Sequence, residues 1–537
     1  MKFLEASQLL ISTLSPVHIG CGEDYDPTNY VIENNTLYEF DPGAAHKALT
    51  VQDRQELLRI VSNSNNKKML QEVQAFFYQR RQALMMVAKR RVPAVPKLIE
   101  FYQGRVGQTV QTERDGSQLV NKLSIGRTFF NPASGTPTLP GSSLKGAIRT
   151  ALLDGMNQGK PLLQKQEKNL ALQQRLFRYE HFEQDPMRLV QLADTAFLDE
   201  EGVGTELRFA VNRRRKAPKS GDSSEQSLAE KGDLYQLLEC VPAARFRVFS
   251  GQLTVQQIDH LNDDRRLPAL PLRWNTQQIA AACNGFYRPQ LEMEIQQMQE
   301  RGYLDVRWVT LIEKLLNGSL GQRLDNNQAF LLRVGRHGGA ESITLNGVRN
   351  IKILRGRDQH PDNRAETTTW WLAAGNTQLK TGMLPFGWLL AELQPTDQRV
   401  LDWVEARDAL SGMPTEYTAW LAQERRQAAM TLQRQADEAA RQQTIIARAN
   451  ATPEQKAIAE LRDWLITDRK AKQLKPMGRV VGTLNRLLKE GLGWPLTDRQ
   501  VLADLAEEIF SQRSVGGDDK MQQERKSKIQ QLRQGAS

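Results

Sequence analysis

Cysteine is scarce in this chain: Cys21, Cys240 and Cys283 are the only three in 537 residues. They lie far apart and form no Cys-x-x-Cys pair, which excludes a disulfide framework and a zinc ribbon and suits a reducing compartment. No stretch has the apolar length of a membrane span. The opening Met1–Ala6 lacks the core of a signal peptide, so a cytoplasmic setting is expected. A Walker loop is also missing. In Ser142-Ser143-Leu144-Lys145-Gly146 the hydroxyls precede the lysine, the reverse of the order a phosphate loop needs, so an ATPase reading fails. Metal-ligand spacing is missing too. His18 and Cys21 lack the further ligands a zinc site requires. Asp24, Asp26 and Asp41 are single carboxylates, and Asp26-Pro27 reads as a turn.

What the chain does have is size, charge and punctuated glycine. Its length implies two or three domains. Lysine and arginine outnumber aspartate and glutamate by 72 to 62, a net +10. Such an excess favours an anionic partner, nucleic acid first. The most informative stretch is Leu139–Leu153. Pro140 fixes one dihedral and Gly141 frees the next, Ser142 or Ser143 is placed to cap, and apolar residues recur at helical spacing from Leu144 to Leu152. Lys145 and Arg149 stand one turn apart. Free amides, a dipole end and two cations together suit a phosphate oxygen.

Ahead of this motif, Leu9–Val17 reads as a strand ending in the glycine turn His18-Ile19-Gly20-Cys21-Gly22. Short strands at Tyr30–Ile32 and Leu37–Phe40 flank an Asn34-Asn35 hairpin turn, and Pro42 to about Lys89 is helical. Val92–Val120 reads as irregular. Gly126-Arg127-Thr128-Phe129-Phe130 leads into the central motif. Strands are expected at Leu189–Phe197, Leu207–Val211, Leu234–Glu239 and Arg245–Leu253, the last with Phe246, Val248 and Ser250 on one face. Between them, Arg213, Arg214, Arg215 and Lys216 read as an exposed basic loop. Further on, the strand at Phe330 runs into Gly335-Arg336-His337-Gly338-Gly339, a turn able to form an anion nest.

These strings carry a resemblance. Pro140–Arg149 is similar to the central motif of the RAMP superfamily, the RNA-binding subunits of CRISPR effector complexes. The opening Leu14–Gly22, Tyr25–Ile32 and Leu37–Asp41, and the later Thr368–Leu372 and Leu384–Trp388, resemble the family of subunits that cap the type III-A (Csm) complex. The resemblance covers, in order, roughly residues 8–393. It implies an α+β fold of two ferredoxin-like, RRM-type halves, at 1–200 and 201–395, with RNA in the groove between them. It implies contacts from His18, Gly20, Gly22, Arg127, Gly141, Ser142, Ser143, Lys145, Gly146 and Arg149, from Arg213, Arg214 and Arg215 at a hairpin tip, and from Gly335, Arg336, Gly338 and Gly339. The partners it implies are guide RNA (crRNA), target RNA reached through the complex, and other effector subunits, a backbone RAMP subunit above all. No membrane partner and no cofactor are expected.

The tail lies outside that resemblance. A polar helical connector is expected at 396–451. A three-helix module follows at 452–510, opened by the Thr452-Pro453-Glu454-Gln455 cap. A disordered end is expected at 511–537. The function expected is that of a non-catalytic RNA-binding cap at the guide's 3′ end. Two alternatives stand beside it: a metal-independent endoribonuclease using His18 on guide precursor, and a backbone subunit cleaving target RNA through a loop aspartate.

Overall fold

The computed structural model describes residues 3–395, apart from 64–65, 109–110, 113–117, 120–122, 165–166, 199–203, 217–233, 262–265 and 354–359. In the tail it describes 423–534 apart from 424–425, 427–429, 431–432, 444–445, 447–448 and 517. In order, the elements are β1 (Leu4–Thr13), β2 (Gly20–Tyr25), β3 (Tyr30–Glu33), β4 (Thr36–Glu39), α1 (Pro42–Ala48), α2 (Val51–Asn63), α3 (Asn66–Gln79), α4 (Arg81–Met86), β5 (Arg90–Pro93), α5 (Pro96–Gln103), β6 (Gln111–Thr112), β7 (Gln118–Leu119) and β8 (Ile125–Thr128). There follow α6 (Gly141–Asn157), α7 (Asn169–Phe177), β9 (Val190–Leu192), β10 (Ala196–Phe197), β11 (Glu206–Arg214), β12 (Tyr235–Cys240), β13 (Arg245–Gln256), α8 (Thr276–Glu300), α9 (Val306–Asn317), α10 (Ser319–Asp325), β14 (Ala329–Arg333), β15 (Ile351–Ile353), β16 (Asp362–Arg364), β17 (Thr369–Ala374) and β18 (Trp388–Leu393). The content is α+β.

Local chemistry sets many of these limits. Asn34 and Asn35 both take positive φ, 48° and 54°, which gives the β3–β4 hairpin the twist its strands need. Asp41 caps α1 ahead of Pro42 by accepting from the Ala44 amide at 2.9 Å. Asn275 and Gln278 form a reciprocal capping box at the start of α8. In β13, Arg247 at φ 47° is a bulge, and the register with β1 shifts there. The bulge overturns the expected Phe246–Val248–Ser250 face: adjacent Val248 and Phe249 are both buried instead.

Two sheets organise the first unit, Met1–Ala422. One runs β10-β13-β1-β18-β14, with β9 also on β13, and is antiparallel throughout. The other runs β17-β11-β12-β8-β2, with β12 and β8 parallel. Each sheet draws strands from both sides of residue 200. β1 lies between β13 and β18, and β12 pairs with β8, so a boundary at 200 would cut hydrogen-bonded neighbours apart. Helices α6 and α8 pack on each other, and α8 on β14, over a single apolar core.

The second unit spans Gln423–Ser537 and has its own core. Its helices are α11 (Pro453–Lys470), α12 (Arg479–Glu490), α13 (Leu496–Phe510) and α14 (Asp519–Gln534). The first three are the expected module. The expected disorder at 511–537 is corrected: α14 buries Ile529 and Leu532, and the turn before it buries Val515, in the same core. Those few apolar positions are diluted by charge in the sequence but sit on one face of the helix. Of the expected connector, residues 396–422 lie outside the described residues, and 433–443 are helical and exposed.

Candidate nucleic-acid interface

Three turns from distant parts of the chain are tied together by backbone hydrogen bonds. After β1, Pro16 accepts from the Gly387 amide at 2.9 Å and His18 accepts from the Arg336 amide at 2.8 Å. Val334 and Gly387 bond at 2.9 Å. Two glycines are demanded by this junction. Gly335, at φ 81°, has no room for a Cβ beside the His18 carbonyl, and Gly387, at φ 88°, has none beside the Val334 carbonyl. Beneath the junction, Arg333 is buried in an ion pair with Glu294 and donates to the Phe386 carbonyl at 3.1 Å. The junction thus rests on a satisfied charge pair.

The loop Gly335–Gly339 faces the start of α6 and the tryptophans of β17 across a cavity of about 650 Å³. Ser142, Ser143, Gly146 and Thr150 line it from α6, and Trp370 and Trp371 from β17. The Ser142 and Ser143 hydroxyls have no hydrogen-bond partner among the described residues. Gly146 is exposed within the helix, and a Cβ there would meet nothing within 4 Å. Glycine in a helix interior costs about 1 kcal/mol against alanine. No packing contact asks for it, so it keeps the cavity wall open. On the far side of the same loop, exposed Arg336 shares a smaller cavity of about 250 Å³ with Asp24, Ser124, Gly126 and Gln236.

Both junction histidines hold a proton less readily than a free imidazole. His18 is buried and donates Nδ1–H to the Glu239 carbonyl at 2.7 Å. Burial lowers its pKa, and the nearby Arg336 cation adds to the effect, against the Glu239 backbone bond that opposes it. His337 is pulled down to about 3, first by burial and then by Arg336 and His18. Its ring bonds Gln236 at 3.0 Å and stacks on Trp371 at 4.5 Å, 20° from parallel.

The expected capping is corrected. Neither Ser142 nor Ser143 caps α6; the Gly141 amide donates to Asp194 at 2.7 Å, a carboxylate from the β9–β10 turn. Gly141 is needed for close approach and not for its dihedral, since a Cβ would overlap the Leu192 carbonyl. Arg149 does not line the cavity beside the serines. Its guanidinium pairs with Asp185 at 2.9 Å, donates to Gln173 at 2.9 Å and lies over Phe177. Lys145 is half-buried near Asp185, its pKa lowered by that burial.

The exposed basic loop at 212–216 is corrected as well. Arg213 and Arg214 belong to β11. Arg213 is buried and donates to the carbonyls of Thr377 at 3.0 Å and Leu379 at 2.8 Å. Arg215 pairs with Glu341 at 2.6 Å and donates to Gln297. Any hairpin tip beyond them falls in 217–233, outside the described residues. Arg127 lies over Phe130 at 3.8 Å and reaches Glu23 at 3.3 Å, away from the larger cavity. Gly20 pairs with Thr128 in the second sheet, and Gly22 takes φ 82°. Asp24 accepts from Ser124 at 2.9 Å, and the Asp26 carbonyl closes a turn with the Asn29 amide.

Sequence reasoning did not place Trp370, Trp371 or Thr150 in the site. The alternation of β17, with Trp371 part-exposed between buried Trp370 and Leu372, is the signal that marks Trp371.

The β1 turn and the Gly-Ser-Ser-Leu-Lys-Gly helix start of this junction fall within a stretch that matches a family model. Residues 10–263, just under half of the chain, match the family model of the RAMP superfamily. More narrowly, the chain is similar in sequence to a Csm5 protein. Over 152 residues it is 26% identical to a protein of Streptococcus thermophilus described as "CRISPR system Cms protein Csm5", a match covering 27% of this chain and 38% of that one. The match thus spans well under half the length of that relative. Among solved structures, the chain is similar to a chain of the type III-A Csm–crRNA–target RNA ternary complex, with a TM-score of 0.42 at 14% identity over 72% of this chain and 100% of that one. It is also similar to Csm5 of T.onnurineus, with a TM-score of 0.42 at 15% identity over 71% and 99%. Among the described residues, no helix is long and apolar enough to cross a membrane.

Proposed function

We propose that this chain is a non-catalytic, RNA-binding subunit of a type III CRISPR effector complex, one copy per complex, capping it at the 3′ end of the guide RNA. Its partners are then the guide, a backbone RAMP subunit and, through the complex, target RNA. The two woven sheets are read as two ferredoxin-type halves that share their strands. The observation that carries the reading is the wall of the larger cavity. Two serine hydroxyls with no hydrogen-bond partner among the described residues and a bare helical glycine face a glycine loop and two tryptophans. Such a surface admits a ribose–phosphate strand and a stacked base with little sequence preference, as a variable guide requires.

What supports the absence of catalysis is His18. Its ring is buried, reluctant to take a proton and committed through Nδ1 to a backbone carbonyl, unlike a general base poised near neutrality. The cap position has a physical reason. A head-to-tail filament extends until one face is occluded, and the added C-terminal unit supplies bulk a repeating subunit lacks. The test is photocrosslinking in the assembled complex with guide RNA labelled at either end. Crosslinks to the 3′ end, with one copy of the chain by native mass spectrometry, are expected. Several copies per guide, or crosslinks at the 5′ end, would refute the placement.

A further inference from the structure

We propose a second nucleic-acid contact, on the C-terminal unit, along the turn between α11 and α12 and the outer face of α12. From residue 469 to residue 489 the chain carries seven lysines and arginines and no acidic residue. All seven are exposed. Three are held by neighbours: Arg469 by Glu508 at 3.0 Å, Arg479 by Asp468 at 2.5 Å and Arg486 by Glu490 at 3.3 Å. The other four, Lys470, Lys472, Lys475 and Lys489, have no ion-pair partner among the described residues. The exposed acids of α13 do not offset them, because Asp504 and Glu507 are taken by Arg533 and Glu508 by Arg469.

Two backbone positions run against what the fold alone favours. Lys472 sits at φ 54°, in the left-handed turn that ends α11, where glycine would be less strained. Gly482 sits inside α12, where nearly any other residue would favour the helix more, and a Cβ there would meet nothing within 4 Å. A cation therefore stands where glycine suits the chain, and glycine where a side chain does. At 3.6 residues per turn, Arg479, Gly482, Arg486 and Lys489 share the face opposite buried Val481, Leu484 and Leu488. On the face of α12 the positions between those cations are Gly482, Thr483 and Asn485, none of them apolar, and in the turn a single methionine, Met477, is exposed among the lysines. A protein partner covers apolar surface at its centre. A sugar–phosphate strand needs cations and close backbone approach, and that is what this face offers.

The test uses the full chain and a single-stranded RNA longer than the groove. Ultraviolet crosslinking with peptide mapping is expected to mark 469–489 as well as the α6 and 335–339 peptides. A variant with Lys470, Lys472, Lys475 and Lys489 all changed to Gln is expected to melt as the parent does, because each side chain is exposed. It should lose the first set of crosslinks and shed up to roughly 3 units of salt slope, at about 0.7 per phosphate contact on a single strand. Crosslinks in the groove without any at 469–489, or an unchanged slope, overturn this proposal and leave the groove reading standing. Crosslinks at 469–489 alone do the reverse. Polyglutamate that displaces RNA from the parent as well as unlabelled RNA does would assign the face to an acidic protein and overturn it too.

Discussion

Residues 213–216 and 469–475 look alike in the sequence, each a dense run of positive charge. In the first, the arginines are drawn into the fold: Arg213 donates to two carbonyls and Arg215 pairs with Glu341. In the second, Lys470, Lys472 and Lys475 stay in water with no partner among the described residues. The difference follows from side-chain chemistry and context. A guanidinium on a buried strand can satisfy several carbonyls and a carboxylate at once, whereas an ammonium on a flexible stem is held in water by its hydration. The same division runs through the glycines. Gly335 and Gly387 are required by the fold, and Gly146 and Gly482 are not. Groups the fold does not use are the ones available to a ligand.

The largest effect should come from cutting into the used set. Arg215→Ala leaves the Glu341 carboxylate buried with its ion partner removed, and is expected to cost about 3–5 kcal/mol in urea unfolding. Lys472→Gln should change stability by less than about 0.5 kcal/mol. Equal losses in the two would erase the distinction.

Next is Gly335→Ala, where both a positive φ and the His18 carbonyl oppose the new methyl. About 2 kcal/mol or more is expected, read from the melting temperature. Gly482→Ala should stabilise instead, by about 1 kcal/mol.

A smaller and pH-dependent effect tests the histidines. His18 and His337 titrate below the free imidazole value of 6.5 in the native state. Below pH 6.5 the unfolded chain therefore binds more protons, and stability falls as the pH drops, by up to about 1.4 kcal/mol per unit per histidine. Denaturation measured from pH 7 to pH 4 should show a shallower decline in His337→Gln than in the parent. Parallel curves would mean that His337 is not the buried neutral ring described.

The smallest contrast sits within one turn of α6. Arg149→Ala should lower stability by about 1–3 kcal/mol, through loss of Asp185 and Gln173, with no change in RNA salt slope. Lys145→Ala should leave the melt nearly unchanged and reduce the slope by about 0.7.

Much of this was legible where the causes are local. The asparagine hairpin, the Thr452 capping box and the apolar stripe of α6 each declare themselves within a few residues. Causes that lie far along the chain did not. The cap of α6 is Asp194, and the partner of Arg149 is Asp185, both reached only through the packing of α7 and the β9–β10 turn. Helix α8 was not read because it carries Pro289 and buries residues on several sides, leaving a weak amphipathic stripe. Most strands fell nearly where alternation put them, but the one expected at Leu189–Phe197 is two short strands, the turn expected at Gly20–Gly22 opens β2, the stretch read as irregular after Val92 holds α5, and the interleaving across residue 200 is a property of pairing. Of the site, the glycine turns and the α6 serines were visible in sequence. The tryptophan wall was visible only as part of a resemblance.

The central claim is that the cavity between α6, the 335–339 loop and β17 holds RNA, and Gly146→Leu tests it most directly. Beyond its own turns of helix, no described residue lies within 4 Å of a Cβ at that position, so the fold should be as stable as the parent or slightly more so. Fluorescence anisotropy of labelled guide RNA, read beside a thermal melt, should then show an intact melt and binding weakened at least tenfold. An intact melt with parental affinity would contradict the account.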